Sequence, residues 1–69
     1  MWKFVVMRTK GNDAEIVRWC ESKVEAVQFG EAYFAALPKE EGVVSVDEVE
    51  TDERGRRIEG YKRVHHVWR

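Results

Sequence analysis

A two-residue bend constrains this chain more than any other feature. Gly11-Asn12 separates the runs 2–10 and 13–21, and such a pair closes a β-hairpin through a primed turn. Folding the chain back on that bend sets Lys10 against Asp13, Arg8 against Glu15, Val6 against Val17, Phe4 against Trp19 and Trp2 against Glu21. Charge meets charge, aliphatic meets aliphatic and aromatic meets aromatic. Each such pair contributes roughly 0.2–1 kcal/mol, and a one-residue slip loses most of them. The predicted inner face is therefore Trp2, Phe4, Val6, Val17 and Trp19. The opposite face carries Lys3, Val5, Met7, Ile16, Arg18 and Cys20, which is more apolar than a solvated face should be.

The segment after the hairpin reads as a helix. Ser22-Lys23-Val24-Glu25 has the spacing of a capping box, with the Ser22 hydroxyl placed to accept the Glu25 amide. The helix is expected from about Lys23 to Ala36 or Leu37, stopped by Pro38. At 100° per residue, Ala26, Val27, Phe29, Gly30, Tyr33, Phe34 and Leu37 share one face. Gly30 in mid-helix implies close approach to the sheet, with Trp19 as the expected neighbour.

A second hairpin is predicted with strands near 43–51 and 58–68. Positions summing to 110 pair Val43 with Val67, Val46 with Val64, Asp47 with Arg63, Glu48 with Lys62 and Val49 with Tyr61. This register puts Gly55 in the middle of its loop, where the commonest three-residue turn wants glycine last, so a bulge is expected. Eleven valines against one leucine support a strand-rich chain. The expected fold is an α+β domain over residues 1–69: a ββαββ two-layer sandwich with a four-stranded antiparallel sheet in the order 2-1-3-4 and one helix on one face.

The candidate chemistry is sparse. His65 and His66 are adjacent on a strand and should point to opposite faces, so no zinc site is inferred. A histidine beside Glu48 or Glu50 would be pH-sensitive. Cys20 precedes the helix N-terminus, but its neighbour Glu21 disfavours a thiolate, and free cysteine more often packs as a small hydrophobe. No nucleophile elbow, phosphate loop or dinucleotide fingerprint occurs. A sheet with one helix offers little cleft for a pair of acid–base carboxylates. No catalytic residue, metal, cofactor or small-molecule substrate is inferred.

Charge is segregated along the chain although its net value is only −1. Residues 40–53 hold seven acids and no base, whereas Arg54, Arg56, Arg57, Lys62, Arg63 and Arg69 follow with Glu59 as the sole acid. As hairpin partners, these segments should largely neutralise one another. Arg54, Arg56, Arg57, Lys62 and Arg63 nevertheless form a candidate nucleic-acid contact, with aromatic residues interleaved.

A chain of 69 residues buries only about 60% of its extended surface and is marginal alone. One helix cannot cover both sides of a four-stranded sheet, and contiguous exposed apolar area usually marks an interface. The expected function is therefore non-catalytic association, as a homodimer or as an adaptor on another protein. Its contact surface is expected at Val5, Met7, Ile16 and Arg18, joined by Val43 and Val67 or by Val44, Val46 and Val64 according to the second register. The competing reading folds the chain from His65 over that face, with Trp68 as the cover.

The expected location rests on absent targeting signals. The apolar stretch at the N-terminus is broken by Lys3, ends at Arg8 and precedes no small-residue cleavage site. No run approaches the ~18 apolar residues of a membrane span. A soluble cytoplasmic protein is the expectation, and a single cysteine fits a reducing compartment.

Overall fold

A computed structural model describes residues 2–69, apart from the side chains of Glu59 and Tyr61. Strands β1 (Trp2–Lys10) and β2 (Asp13–Cys20) flank the Gly11-Asn12 bend, where Gly11 has φ +60°. Helix α1 (Lys23–Ala36) and a short 3-10 turn (Lys39–Glu41) lead into β3 (Val43–Thr51) and β4 (Arg57–Trp68). All three strand pairings are antiparallel, in the order β2-β1-β3-β4, with the helix as the second layer. This is the expected architecture.

The first hairpin keeps its predicted register only near the bend. Lys10 faces Asp13, Arg8 faces Glu15 and Met7 faces Ile16, but Val6 then faces Arg18. Val17 is the extra residue of a β-bulge. Beyond it, Phe4 lies across from Cys20 rather than Trp19, and Trp19 lies across from Val5. A bulge sets two successive residues against one partner and bends the strand, so every later side chain changes face. Cys20 and Arg18, expected on the open side, are on the helix side. Trp19, expected inside, is on the open side and 42% exposed.

The helix begins as its sequence indicates. Ser22 Oγ accepts the Glu25 amide at 3.1 Å, and the chain turns extended at Leu37 just before Pro38. Its inner face carries Ala26 and Gly30, both buried, with Val27, Phe29, Tyr33, Phe34 and Leu37 packed around them. Together with Val6, Cys20, Val44 and Val46 they make the main core. Gly30 is needed for close approach, but the neighbour is Trp68 rather than Trp19. A Cβ at position 30 would lie 2.6 Å from Trp68 Cζ3.

The second hairpin departs further from its expected register. Val44 pairs with Trp68, Ser45 with Val67 and Val46 with His66, after which Asp47 pairs with Val64. His65 is thus the extra residue of a second bulge. A larger irregularity follows, because Val49 pairs with Lys62 but Thr51 with Arg57. Gly60 lies in that stretch with φ +89°, a left-handed conformation that glycine adopts without steric cost. At the hairpin tip, Asp52 Oδ1 accepts the amides of Arg54 and Arg56, each at 2.9 Å. That side-chain cap explains why turn chemistry and strand pairing disagree in the sequence.

The two bulges sit at one level of the sheet. Val17 bulges beside Val6, His65 bulges beside Val46, and Val6 and Val46 are partners across the central strands. The C-terminal segment does not fold over the open face. It continues β4, and Trp68 packs into the core beneath the helix.

Candidate interaction face

Strand pairing lays the uncovered face out in rows. One row runs Ile16–Met7–Ser45–Val67 across all four strands. The next runs Trp19–Val5–Asp47–Val64. On the other side of the first row lie Ala14, Thr9 and Val43. Ile16, Trp19, Val64 and Val67 are each about two-fifths to one-half exposed, at 41%, 42%, 53% and 39%. Large apolar side chains thus occupy both outer strands, while Val5 forms a buried floor between them at 1% exposure.

The His65 bulge accounts for the composition of β4 here. Val64 and Val67 are three residues apart and would fall on opposite sides of a regular strand. The extra residue between them puts both on the open side. The expected choice between Val67 and Val64 is therefore resolved as both, with Val43. Val44 and Val46 are under the helix.

Of the proposed contact residues, Met7 and Ile16 are on this surface, and Val5 is beneath it. Arg18 is a correction. Its guanidinium stacks 5.0 Å from the Phe29 ring centre, and its Nη2 lies 3.8 Å from Glu25 Oε1, both on the helix. The shift has a clear cause, since the Val17 bulge reverses the alternation just before it. Trp19 is the large member that the straight register hid.

The polar groups of the face cluster around Asp47. Its side chain is 7% exposed, and Lys62 Nζ lies 3.9 Å from Oδ2. Asp47 Oδ1 is buried and receives no hydrogen bond. The hollow it borders is also lined by Ser45, Arg57, Lys62, Val64 and Arg69. Val49 and Thr51 continue the same side of β3 and are buried without a helix above them.

The basic candidates do not converge. Arg57 and Lys62 line the open-face hollow. Arg63 instead lies over Trp2, 5.6 Å from its ring centre, on the helix side. Arg54 and Arg56 are at the tip of the second hairpin, where their amides cap Asp52. These five residues give no single stripe along which a phosphate backbone would track.

Histidine and cysteine lie on the helix side. His65 Nε2 is 2.9 Å from Glu48 Oε1, and its ring is 5.6 Å from that of Phe4. His66 contacts Trp68 at 4.3 Å between ring centres. The bulge brings both histidines to one side, against the expectation of opposite faces. Among the described residues, no group of three or more His, Cys, Asp or Glu side chains could hold a metal ion. Burial pushes the Cys20 thiol above its ordinary range, with the Glu25 carboxylate adding to the shift. Cys20 is thus a packing residue of the core, 2% exposed.

Among the described residues, no helix is long and apolar enough to cross a membrane. Comparison of the chain with protein-family models, with curated proteins and with solved structures finds no match.

Proposed function

We propose that this protein acts by self-association, as a two-fold homodimer packed through the uncovered sheet face. The carrying observation is the clustering of Ile16, Trp19, Val64 and Val67, all substantially exposed, on the side that lacks a helix. Isolated surface hydrophobes need no explanation, whereas a contiguous group on a sheet face does. Two antiparallel sheets packed face to face bury such groups against each other at about 10 Å separation.

Size supports the same reading. The body measures 36 × 26 × 17 Å, a thin slab whose broad sides are its largest surfaces, and one of them has no helix over it. The face carries acid and base together, in Asp47, Lys62, Arg57 and Arg69. The module is non-catalytic in this reading. An adaptor role on another protein would use the same side chains.

Sedimentation equilibrium at tens of micromolar tests it. The expected mass is twice 8.1 kDa, with association holding or tightening as salt rises. Met7→Lys should weaken the dimer at least about 30-fold, as expected for a central contact, with its circular dichroism unchanged. A wild-type chain that stays monomeric at every concentration overturns the homodimer. Affinity for DNA that falls steeply with salt would favour the basic hairpin residues instead.

A further inference from the structure

The open face continues one row beyond Trp19–Val5–Asp47–Val64. Lys3, two residues before Val5, pairs with Val49, and Val49 pairs with Lys62. Towards β2, Lys3 Nζ meets Glu21 Oε1 at 3.1 Å. This row therefore runs Glu21–Lys3–Val49–Lys62. Its two ends are accessible, with the Glu21 side chain 77% and the Lys62 side chain 48% exposed. The acid stands at the β2 edge and the base at the β4 edge. Exposed apolar bulk is divided in the same way: Ile16 and Trp19 lie on β2, level with Val67 and Val64 on β4.

We infer that two copies are related by a two-fold axis parallel to the strands, between β1 and β3, which lays β2 of each copy over β4 of the other. The inference rests on the homodimer reading above and adds to it the direction of the axis. A two-fold axis that turns one broad face onto its twin lies in the plane between them. Set parallel to the strands, it keeps every row level and exchanges the outer strands. Ile16 then meets Val67, Trp19 meets Val64 and Glu21 meets Lys62. Apolar groups face apolar groups, and an acid faces a base at each rim. Sheet twist permits this stacking, because the rotation brings the tilt of β2 into line with that of β4.

The contacts within each chain are kept. Glu21 stays beside Lys3, and Lys62 stays 3.9 Å from Asp47 Oδ2. An ammonium has three donors, so Lys62 can serve its own Asp47 and the Glu21 of a second copy. Lys3, Glu21, Lys62 and Asp47 then alternate in sign across the rim. The Trp19 ring arrives beside the hollow that Val64 and Val67 border. An axis set across the strands, along the row of Ile16 and Val67, fits less well. It brings Trp19 over Ala14 instead of Val64, and it carries Glu21 away from Lys62.

Charge exchange between two variants tests the axis. Glu21→Lys and Lys62→Glu each set like charges at both rims and should weaken their own homodimers about 10-fold at low ionic strength. Raising the salt should shrink that loss. Mixed together, the two variants should form a heterodimer about as tight as the wild-type dimer, because two bases then meet two acids. Sedimentation of one labelled variant titrated with the other reads this association. A chain carrying both changes should dimerise with itself at about wild-type strength. As a control for net charge, Glu31→Lys mixed with Lys23→Glu, both on the exposed side of the helix, should show no preference for the mixed pair. Mixed Glu21→Lys and Lys62→Glu chains that bind each other no more tightly than themselves overturn the axis and leave the dimer standing. So do single changes without effect in a chain that dimerises, or a control pair with an equal preference. A wild-type chain that is monomeric at every concentration removes both readings.

Discussion

The two faces of this sheet are built from the same four strands, and they meet different ends. On one side, Val6, Cys20, Val44 and Val46 are sealed by a helix whose glycine lets an indole ring lie against its backbone. On the other, a comparable set of apolar groups has no second layer. What separates them is local. Two extra residues, Val17 and His65, stand beside the paired valines Val6 and Val46. They decide which of Trp19 and Cys20 enters the core and allow Val64 and Val67 to share the open side. Edge-strand bulges also discourage further strands from adding to the sheet. The association proposed for this molecule would accordingly use its broad face rather than its edges.

The sharpest way to break the comparison is to overfill the sealed side. Gly30→Val forces a branched side chain into space held by the Trp68 ring, since even a Cβ would lie 2.6 Å from Cζ3. Valine otherwise favours a helix slightly over glycine, so helix propensity predicts a gain. Overpacking outweighs it and should cost about 3 kcal/mol, read as a shift in the urea midpoint. Trp68→Leu in the same chain should restore part of that loss. The open side should respond in the contrary way: Met7→Lys acts on association and leaves the fold. A Gly30→Val chain as stable as wild type would mean that helix and β4 are not in close contact.

A smaller effect is expected from shortening β2. Deleting Val17 removes the bulge residue but keeps Ile16 and Trp19 on the open side and Arg18 and Cys20 on the helix side. Its cost is the contact of one half-buried valine with the core, about 1–1.5 kcal/mol, and dimerisation should persist. A straight pairing of Phe4 with Trp19 implies the opposite, because deletion would then turn Trp19 outward and destroy the core. Denaturation followed by tryptophan fluorescence separates a small loss from collapse of the fold.

The same residues explain how far the sequence could be read. The helix was legible because Ser22, Glu25 and Pro38 are local signals that act on neighbouring backbone. The turn-proximal pairs Lys10–Asp13 and Arg8–Glu15 were legible because a two-residue bend dictates register over short distances. Past Met7 the reading assumed regular alternation, and one unpaired residue inverts that rule for the rest of a strand. A cue existed in β2. A straight register puts Cys20 and Ile16 outside beside Val5 and Met7, an apolar excess that hinted at a misplaced face. The second hairpin hid more, since the Asp52 cap and the Gly60 irregularity absorb residues without any fixed count. That one sheet face is left uncovered was legible despite these errors, because it rests on layer count. Naming Arg18 as part of it did not survive, because that depended on parity.

Cys20 gives the finest test of which side β2 turns inward. Its thiol is raised by burial first and by Glu25 second, so the folded state disfavours the thiolate relative to the unfolded chain. The stabilising contribution is then complete below the ordinary thiol range, near pH 8.5. It is lost as pH rises through the higher value of the folded protein. Lysine and tyrosine titrate in the same region, so the measurement is a difference between wild type and Cys20→Ala. Wild type should lose stability faster on the alkaline side, and the two urea midpoints should converge as pH increases. Native-state alkylation at neutral pH should be slow and should accelerate only with denaturant that opens the core. An exposed Cys20, as the straight register would have it, reacts at the rate of a free thiol, and its removal leaves the alkaline slope unchanged.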